Sequence, residues 1–259
     1  MRFDFGCRMQ FSSSVDVPVI LMLRPRSGYR QWIVQETYAL EPFTLVTEYT
    51  DGYGNLCQRL IVPAGEFQLQ VTGQAETLGL WELDQTAPWI AIEALPDSIL
   101  QFVLPSRYCE SDQVYDWASE ITANLEPGYA QAEAIRQWIH DNIQYQYGTS
   151  DASTSALNVI QSRQGVCRDF AHLGIALCRS LNIPARMVVG YLHGLKPMDQ
   201  HAWFEAYLGH RWCTFDATQT EHSEDRIVIA YGRDAADVAL VTQFGPLQLN
   251  EMQVWIEAM

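Results

Sequence analysis

Residues 164–178 read QGVCRDFAHLGIALC. Phe170, Leu173, Leu177 and Leu181 recur at three- and four-residue steps, and Ala171, Ile175 and Cys178 widen the same stripe. That spacing predicts an amphipathic helix, which Asn182 and Pro184 end. Cys167 falls in its first turn. There the unpaired N–H groups and the positive end of the helix dipole favour an anion. A thiolate is such an anion and is the form of cysteine that attacks carbonyls. The same N–H groups suit the oxyanion of a tetrahedral intermediate. Gly165 is expected to let a substrate backbone approach closely. Position alone leaves Cys167 open between a small packed residue and a nucleophile, because free cysteine is among the most buried residue types. Cys7, Cys57 and Cys178 are read as core. A base has to decide for Cys167.

Six histidines are available. His172 is five residues past Cys167, about 140° round the helix, and points away from it. His140 falls on an earlier helix and is expected at the surface. His210 falls in a turn and His222 in a polar loop. His193 and His201 remain. The stretch HAWFEAYLGHRWCTFDAT (201–218) separates them. His201, Trp203, Glu205 and Tyr207 alternate with Ala202, Phe204, Ala206 and Leu208, the two-residue period of a strand. Gly209-His210 then suits a two-residue hairpin loop of type II′. Pairing Leu208 with Arg211 sets Tyr207 opposite Trp212, Trp203 opposite Asp216 and His201 opposite Thr218. His201 and Asp216 are then diagonal neighbours on one face, about 7–8 Å apart at the backbone. Asp216 can accept a proton from His201 and hold its tautomer. A slip of one residue would put them on opposite faces. Alone, His201 also reads as a satisfied structural histidine. Cysteine at a helix start, histidine on a strand and aspartate on the paired strand form a more specific pattern.

The 259-residue chain is 48% hydrophobic, enough for one large core or two smaller ones. Its net charge of −15 repels phosphate backbones, so no nucleic acid partner is expected. The start of the chain lacks a long apolar run behind a basic segment. The longest apolar run, VPVILML (17–23), is too short to span a bilayer. No membrane association is expected, and a cytoplasmic setting follows. The six cysteines are widely spaced without a CxxC pair, which points to free thiols and against a zinc site.

The first hundred residues read as strands. EFQLQVTGQ (66–74) alternates, and QWIVQETYAL (31–40) and TLVTEYT (44–50) are rich in β-branched and aromatic residues. DGYGN (51–55), between TLVTEYT and LCQRLIV, is a hairpin signal. A β-sandwich-like N-terminal domain over 1–105 is the expectation. Helical spacing follows over 110–125 and 128–145, with Ala134, Trp138 and Asn142 in line. GTSDASTS (148–155) reads as a polar loop. Strands return from Ala185. The expected division is 1–105 and 106–259.

GVCRDFAHLGIALCRSLNIPARMVVGYL, DQHAWFEAYL and WCTFDAT resemble the transglutaminase-like superfamily, most of all its bacterial cysteine-protease-like branch. RIVIAYGRDAADV (226–238) is similar to that branch's C-terminal strand and loop. The N-terminal VPVILMLRPRSGYRQWIVQETYALEP and DGYGNLCQRLIV are similar to its β-domain. The resemblance implies an α+β, papain-like cysteine proteinase core after an N-terminal β-sandwich-like domain, with a Cys167–His201–Asp216 triad and no cofactor or metal. Asp169 matches the acid of the family's CRD motif. It is read first as a helix cap and charge partner, and second as a site wall with Gly165 and Trp203. The family often has Gly where Asn182 stands, and FDPT where this chain has FDATQ. The implied chemistry is acyl transfer through a thioester on a peptide or protein substrate. Water as acceptor makes a cysteine peptidase or amidase. An amine makes a protein-glutamine transglutaminase. A non-enzymatic peptide-binding module on the same fold is the third reading, and an intact triad argues against it. The only lysine, Lys196, lies in the loop before His201.

Overall fold

The computed structural model describes residues 1–28, 30–78, 84–220 and 225–259. The N-terminal region is rich in sheet: β1 (Arg2–Ser13), β2 (Val17–Leu21), β3 (Gln31–Glu41), β4 (Thr47–Thr50), β5 (Leu56–Val62) and β6 (Gly65–Thr77). The strands expected over 31–40, 56–62 and 66–74 lie within β3, β5 and β6, and 51–55 joins β4 to β5. In β6, Phe67, Leu69, Val71 and Ala75 are buried while Gln68, Gln70 and Thr72 are half-buried. This is the alternation of a strand with one face on a core.

Helices follow: α1 (Asp97–Leu100), α2 (Tyr115–Ile121), α3 (Tyr129–Asn142), α4 (Ala156–Ser162) and α5 (Cys167–Ser180). The two-residue strands β7 (Gln144–Tyr145) and β8 (Gln164–Gly165) pair in parallel just before α5. The remaining strands are β9 (Ala185–Leu192), β10 (His201–Leu208), β11 (Arg211–Phe215), β12 (Arg226–Gly232), β13 (Val241–Gln243) and β14 (Gln248–Ala258).

An antiparallel sheet of order β11-β10-β9-β12 carries the central core. Every residue of β9 and β10 is buried. Helix α5 lies on this sheet, with α2, α3 and α4 packed around it. The helix approaches β10 closely at Gly174, where an added Cβ would stand 2.4 Å from the Phe204 ring. Residues Asp169 to Arg179 are all buried, so the stripe legible in the sequence is one of several buried faces.

Several expectations are corrected. The catalytic unit was expected to run to residue 259, but β13 pairs with β2 and β14 with β1. The N-terminal sheets have the orders β14-β1-β6-β3 and β13-β2-β5-β4. Without these returns β1 and β2 would present unpaired backbone edges. The helix expected to end at 125 stops at Ile121, and α4 was not foreseen. The buried face of α3 is Ala132, Ile135, Arg136 and Ile139 rather than the line through Ala134, Trp138 and Asn142. The Gly209-His210 loop has positive φ at both residues, +54° and +64°, which is type I′ rather than II′. Both types are two-residue loops, and the register is unchanged: Leu208 pairs with Arg211 and Tyr207 with Trp212.

Candidate active site

Cys167 opens α5 and is half-buried. The helix start is tied by Asp169, which is wholly buried. Its Oδ2 accepts the Val166 N–H at 2.9 Å, while its own N–H donates to the Val166 carbonyl at 2.8 Å. Its Oδ1 pairs with Arg168 at 3.0 Å. The Asp169 carboxylate supplies the N3 half of a capping box, and the Val166 carbonyl, in place of a side chain, takes the return bond. Asp169 therefore acts as the helix cap and charge partner of the first reading; burial removes it from any wall. Gly165 serves Asp169 too, since a Cβ there would stand 2.8 Å from the Asp169 Cβ. Its lack of a side chain is explained by this packing rather than by substrate approach.

His201 begins β10 and is buried. Its Nε2 lies 2.7 Å from Asp216 Oδ2. Cys167 lies close enough to the same imidazole to help raise its pKa. The contact with Asp216 is the one the hairpin register places, and the same imidazole neighbours Cys167. Burial alone would lower the His201 pKa. The Asp216 charge and hydrogen bond and the Cys167 contact outweigh it, raising the pKa to about 9. Burial pushes Asp216 the other way, but His201, Arg226 and Thr218 hold it well below the usual carboxylate range. The charged, imidazolium form of the histidine is thereby favoured beside the Asp216 carboxylate and the Cys167 sulfur.

Four further residues complete the surroundings. Thr218 gives Asp216 Oδ1 two hydrogen bonds, from Oγ1 at 2.7 Å and from its N–H at 3.1 Å. Arg226 donates to Asp216 Oδ2 at 2.9 Å. Tyr145 stands close to Cys167, and burial followed by the Cys167 charge pushes its pKa up. His140, expected at the surface, is half-buried and donates from Nδ1 to the Ala217 carbonyl at 3.1 Å. The register already placed Thr218 opposite His201. Arg226 opens a segment noted for its resemblance, while nothing local marks Tyr145 or His140.

Trp203 is buried, with its ring 6.1 Å from His201 and under the Arg226 guanidinium at 4.8 Å. It is a floor beneath the histidine rather than an exposed wall. His193 lies just past β9, 3.9 Å from Asp225. His172 is buried and stacks on Tyr108 at 5.0 Å. His210 is exposed. His222 lies outside the described residues. Cys7, Cys57, Cys109 and Cys178 are buried free thiols. Among the described residues no group of three or more metal-ligating side chains is found, and no helix is long and apolar enough to cross a membrane.

The profile of the Transglutaminase-like superfamily matches residues 115–217, which run from α2 past Asp216. A Cytophaga hutchinsonii crystal structure, provisionally assigned as a cysteine protease, is 34% identical with a TM-score of 0.93. The match covers 99% of this chain and 90% of that one. An uncharacterized protein of Mycobacterium leprae is 31% identical over 234 residues, 84% of this chain and 82% of its own. An uncharacterized protein of Mycobacterium tuberculosis is 28% identical over 243 residues, 83% of this chain and 77% of its own. Sequence, fold and the placing of the cysteine at the head of the central helix agree: this chain belongs to the transglutaminase-like superfamily, on a papain-like α+β core.

Proposed function

We propose that this protein is a cysteine peptidase or amidase that hydrolyses an amide through a Cys167 thioester. The observation that carries the reading is the single imidazole shared by Cys167 and Asp216. Asp216 holds Nε2, which leaves Nδ1 for the thiol. The Cys167 thiolate, whose proton His201 holds, attacks the amide carbonyl, forming the S–C bond. The Cys167 N–H at the helix start stabilises the oxyanion, with the Tyr145 hydroxyl beside it. Collapse breaks the C–N bond, and the imidazolium gives its proton to the leaving amine. His201 then takes a proton from water as it attacks the thioester, and the C–S bond breaks, releasing the acid and restoring the thiolate–imidazolium pair.

Water as acceptor is supported by the open setting of the nucleophile. Cys167 is half-buried, Tyr145 beside it is 41% exposed, and Tyr147, packed on Tyr145, is 55% exposed. An enzyme built for amine transfer needs a channel that excludes water. The resemblance to a provisionally assigned cysteine protease points the same way. The test is a labelled peptide library incubated with and without a millimolar primary amine, with products read by mass spectrometry. Cleaved peptide or free acid in both arms is the expected result. Amine adducts dominating the products would replace this reading with a transglutaminase. No product in either arm would favour a binding module.

A further inference from the structure

Asp216 serves two cations. Its Oδ2 accepts from His201 Nε2 at 2.7 Å and from Arg226 Nη1 at 2.9 Å. The side chains are nearly sealed: 2% of His201 and 4% each of Asp216 and Arg226 are exposed. Buried charge is tolerated only when it is paired. With a Cys167 thiolate and a His201 imidazolium, the four groups carry two negative and two positive charges. Without Arg226 the same set carries an excess negative charge in a desolvated site.

Arg226 is itself held. Its guanidinium lies over Trp203, the same ring that floors His201. It opens β12, the edge strand of the central sheet. Two amide side chains from the N-terminal region occupy that edge as a further strand would. Gln31 donates from Nε2 to the Val228 carbonyl at 2.7 Å and accepts the Val228 N–H at 2.8 Å. Asn55 does the same at Tyr231, at 2.9 and 3.0 Å. Both amides are buried, at 7% and 2% exposure. The N-terminal strands thereby fix the strand that carries Arg226.

We propose that Arg226 is a positioning residue of the reaction, holding and charge-balancing Asp216 against His201, and that the N-terminal β-region secures it through Gln31. This rests on the cysteine-hydrolase reading for turnover, but its central test does not. Several groups bear on the titration of His201. They are Cys167 from α5, Asp216 and Thr218 beyond β11, Arg226 from β12, and Asp199 from the preceding loop. Of these, Arg226 meets Asp216 at the same Oδ2 that His201 contacts.

The experiment is the rate of Cys167 alkylation by iodoacetamide against pH, in the full chain, for wild type and variants. Its upper inflection reports loss of the imidazolium. In Arg226→Met, Thr218 still holds Asp216, whose whole charge then acts on His201. The inflection should rise by about one unit or more. Arg226→Lys keeps the charge and should stay within about 0.3 unit of wild type. Gln31→Leu should move the inflection the same way by less. With a turned-over substrate, Arg226→Met should lower kcat by roughly tenfold or more with KM changed less than about threefold. Arg226→Gln provides a second removal, and circular dichroism verifies that each variant is folded. An inflection in folded Arg226→Met or Arg226→Gln that stays at the wild-type value, or falls, overturns the proposal. A wild-type protein whose Cys167 shows no pH-dependent labelling overturns the nucleophile reading as well, which separates the two failures.

Discussion

Nε2 of His201 lies 2.7 Å from Oδ2 of Asp216, although the residues are fifteen positions apart and face each other only diagonally across the hairpin. The short loop makes this possible. Gly209 and His210 both adopt positive φ, which matches the twist of the flanking strands and locks the register. The contact favours the charged form of the histidine.

Asp216→Asn should keep the geometry and lose the charge. The His201 pKa should fall from about 9, and kcat should drop by roughly 10²–10⁴. Cys167→Ala should abolish turnover, and His201→Ala should remove nearly all of it. His193→Ala should be near neutral. Steady-state kinetics with a substrate from the library screen check this ordering; an inactive His193→Ala beside an active His201→Ala would refute it.

Limiting iodoacetamide near pH 6.5 should modify Cys167 before the other five thiols. Cys167 is half-buried and lies beside His201. Burial pushes the Cys7 thiol up to about 11, and raises Cys57, Cys109, Cys178 and Cys213 as well. Peptide mapping reads the order, and Cys213, the other half-buried thiol, is the informative competitor.

His140 donates to the carbonyl of Ala217, the residue after Asp216, and Arg136 donates to the Gln219 carbonyl at 3.0 Å. Helix α3 thus pins the turn that presents the aspartate. His140→Leu removes one hydrogen bond of about 1 kcal/mol. Stability should fall by that order, and kcat several-fold, with KM little changed. His140→Gln should restore part of both. Parallel urea melts and initial rates measure it, and an unchanged kcat in His140→Leu would deny α3 this role.

Two histidines should shape stability against pH in opposite senses. His172 is wholly buried, and burial lowers its pKa from 6.5 to about 4. The unfolded chain takes up this proton below pH 6.5 while the folded protein resists it. Its contribution is therefore full above 6.5 and lost as pH falls through about 4, a loss on the order of 3 kcal/mol. His201 runs the other way: raised to about 9, its contribution is full below 6.5 and lost as pH rises through about 9. Maximum stability should lie between the two windows, near pH 6–7. Urea midpoints across pH test it, and His172→Phe should flatten the acid limb alone.

Local periodicity and turn chemistry determined much of this protein. The three- and four-residue steps from Phe170 to Leu181 placed Cys167 at a helix start. The two-residue alternation of 201–208, with a two-residue loop, brought His201 and Asp216 to one face. Both are short-range constraints, because helix and hairpin geometry are set by neighbours in the chain. Tertiary structure decided the rest. Arg226 reaches Asp216 only because β12 joins the far side of β9. Tyr145 reaches Cys167 only because β7 pairs with β8. The last strands, β13 and β14, return to β2 and β1 to satisfy their open edges. Burial of Asp169 and Trp203 was likewise invisible locally, since a capping acid or a strand tryptophan reads the same in the core as at a cleft. Such contacts depend on which distant elements share a sheet or a face, and no local spacing records that choice.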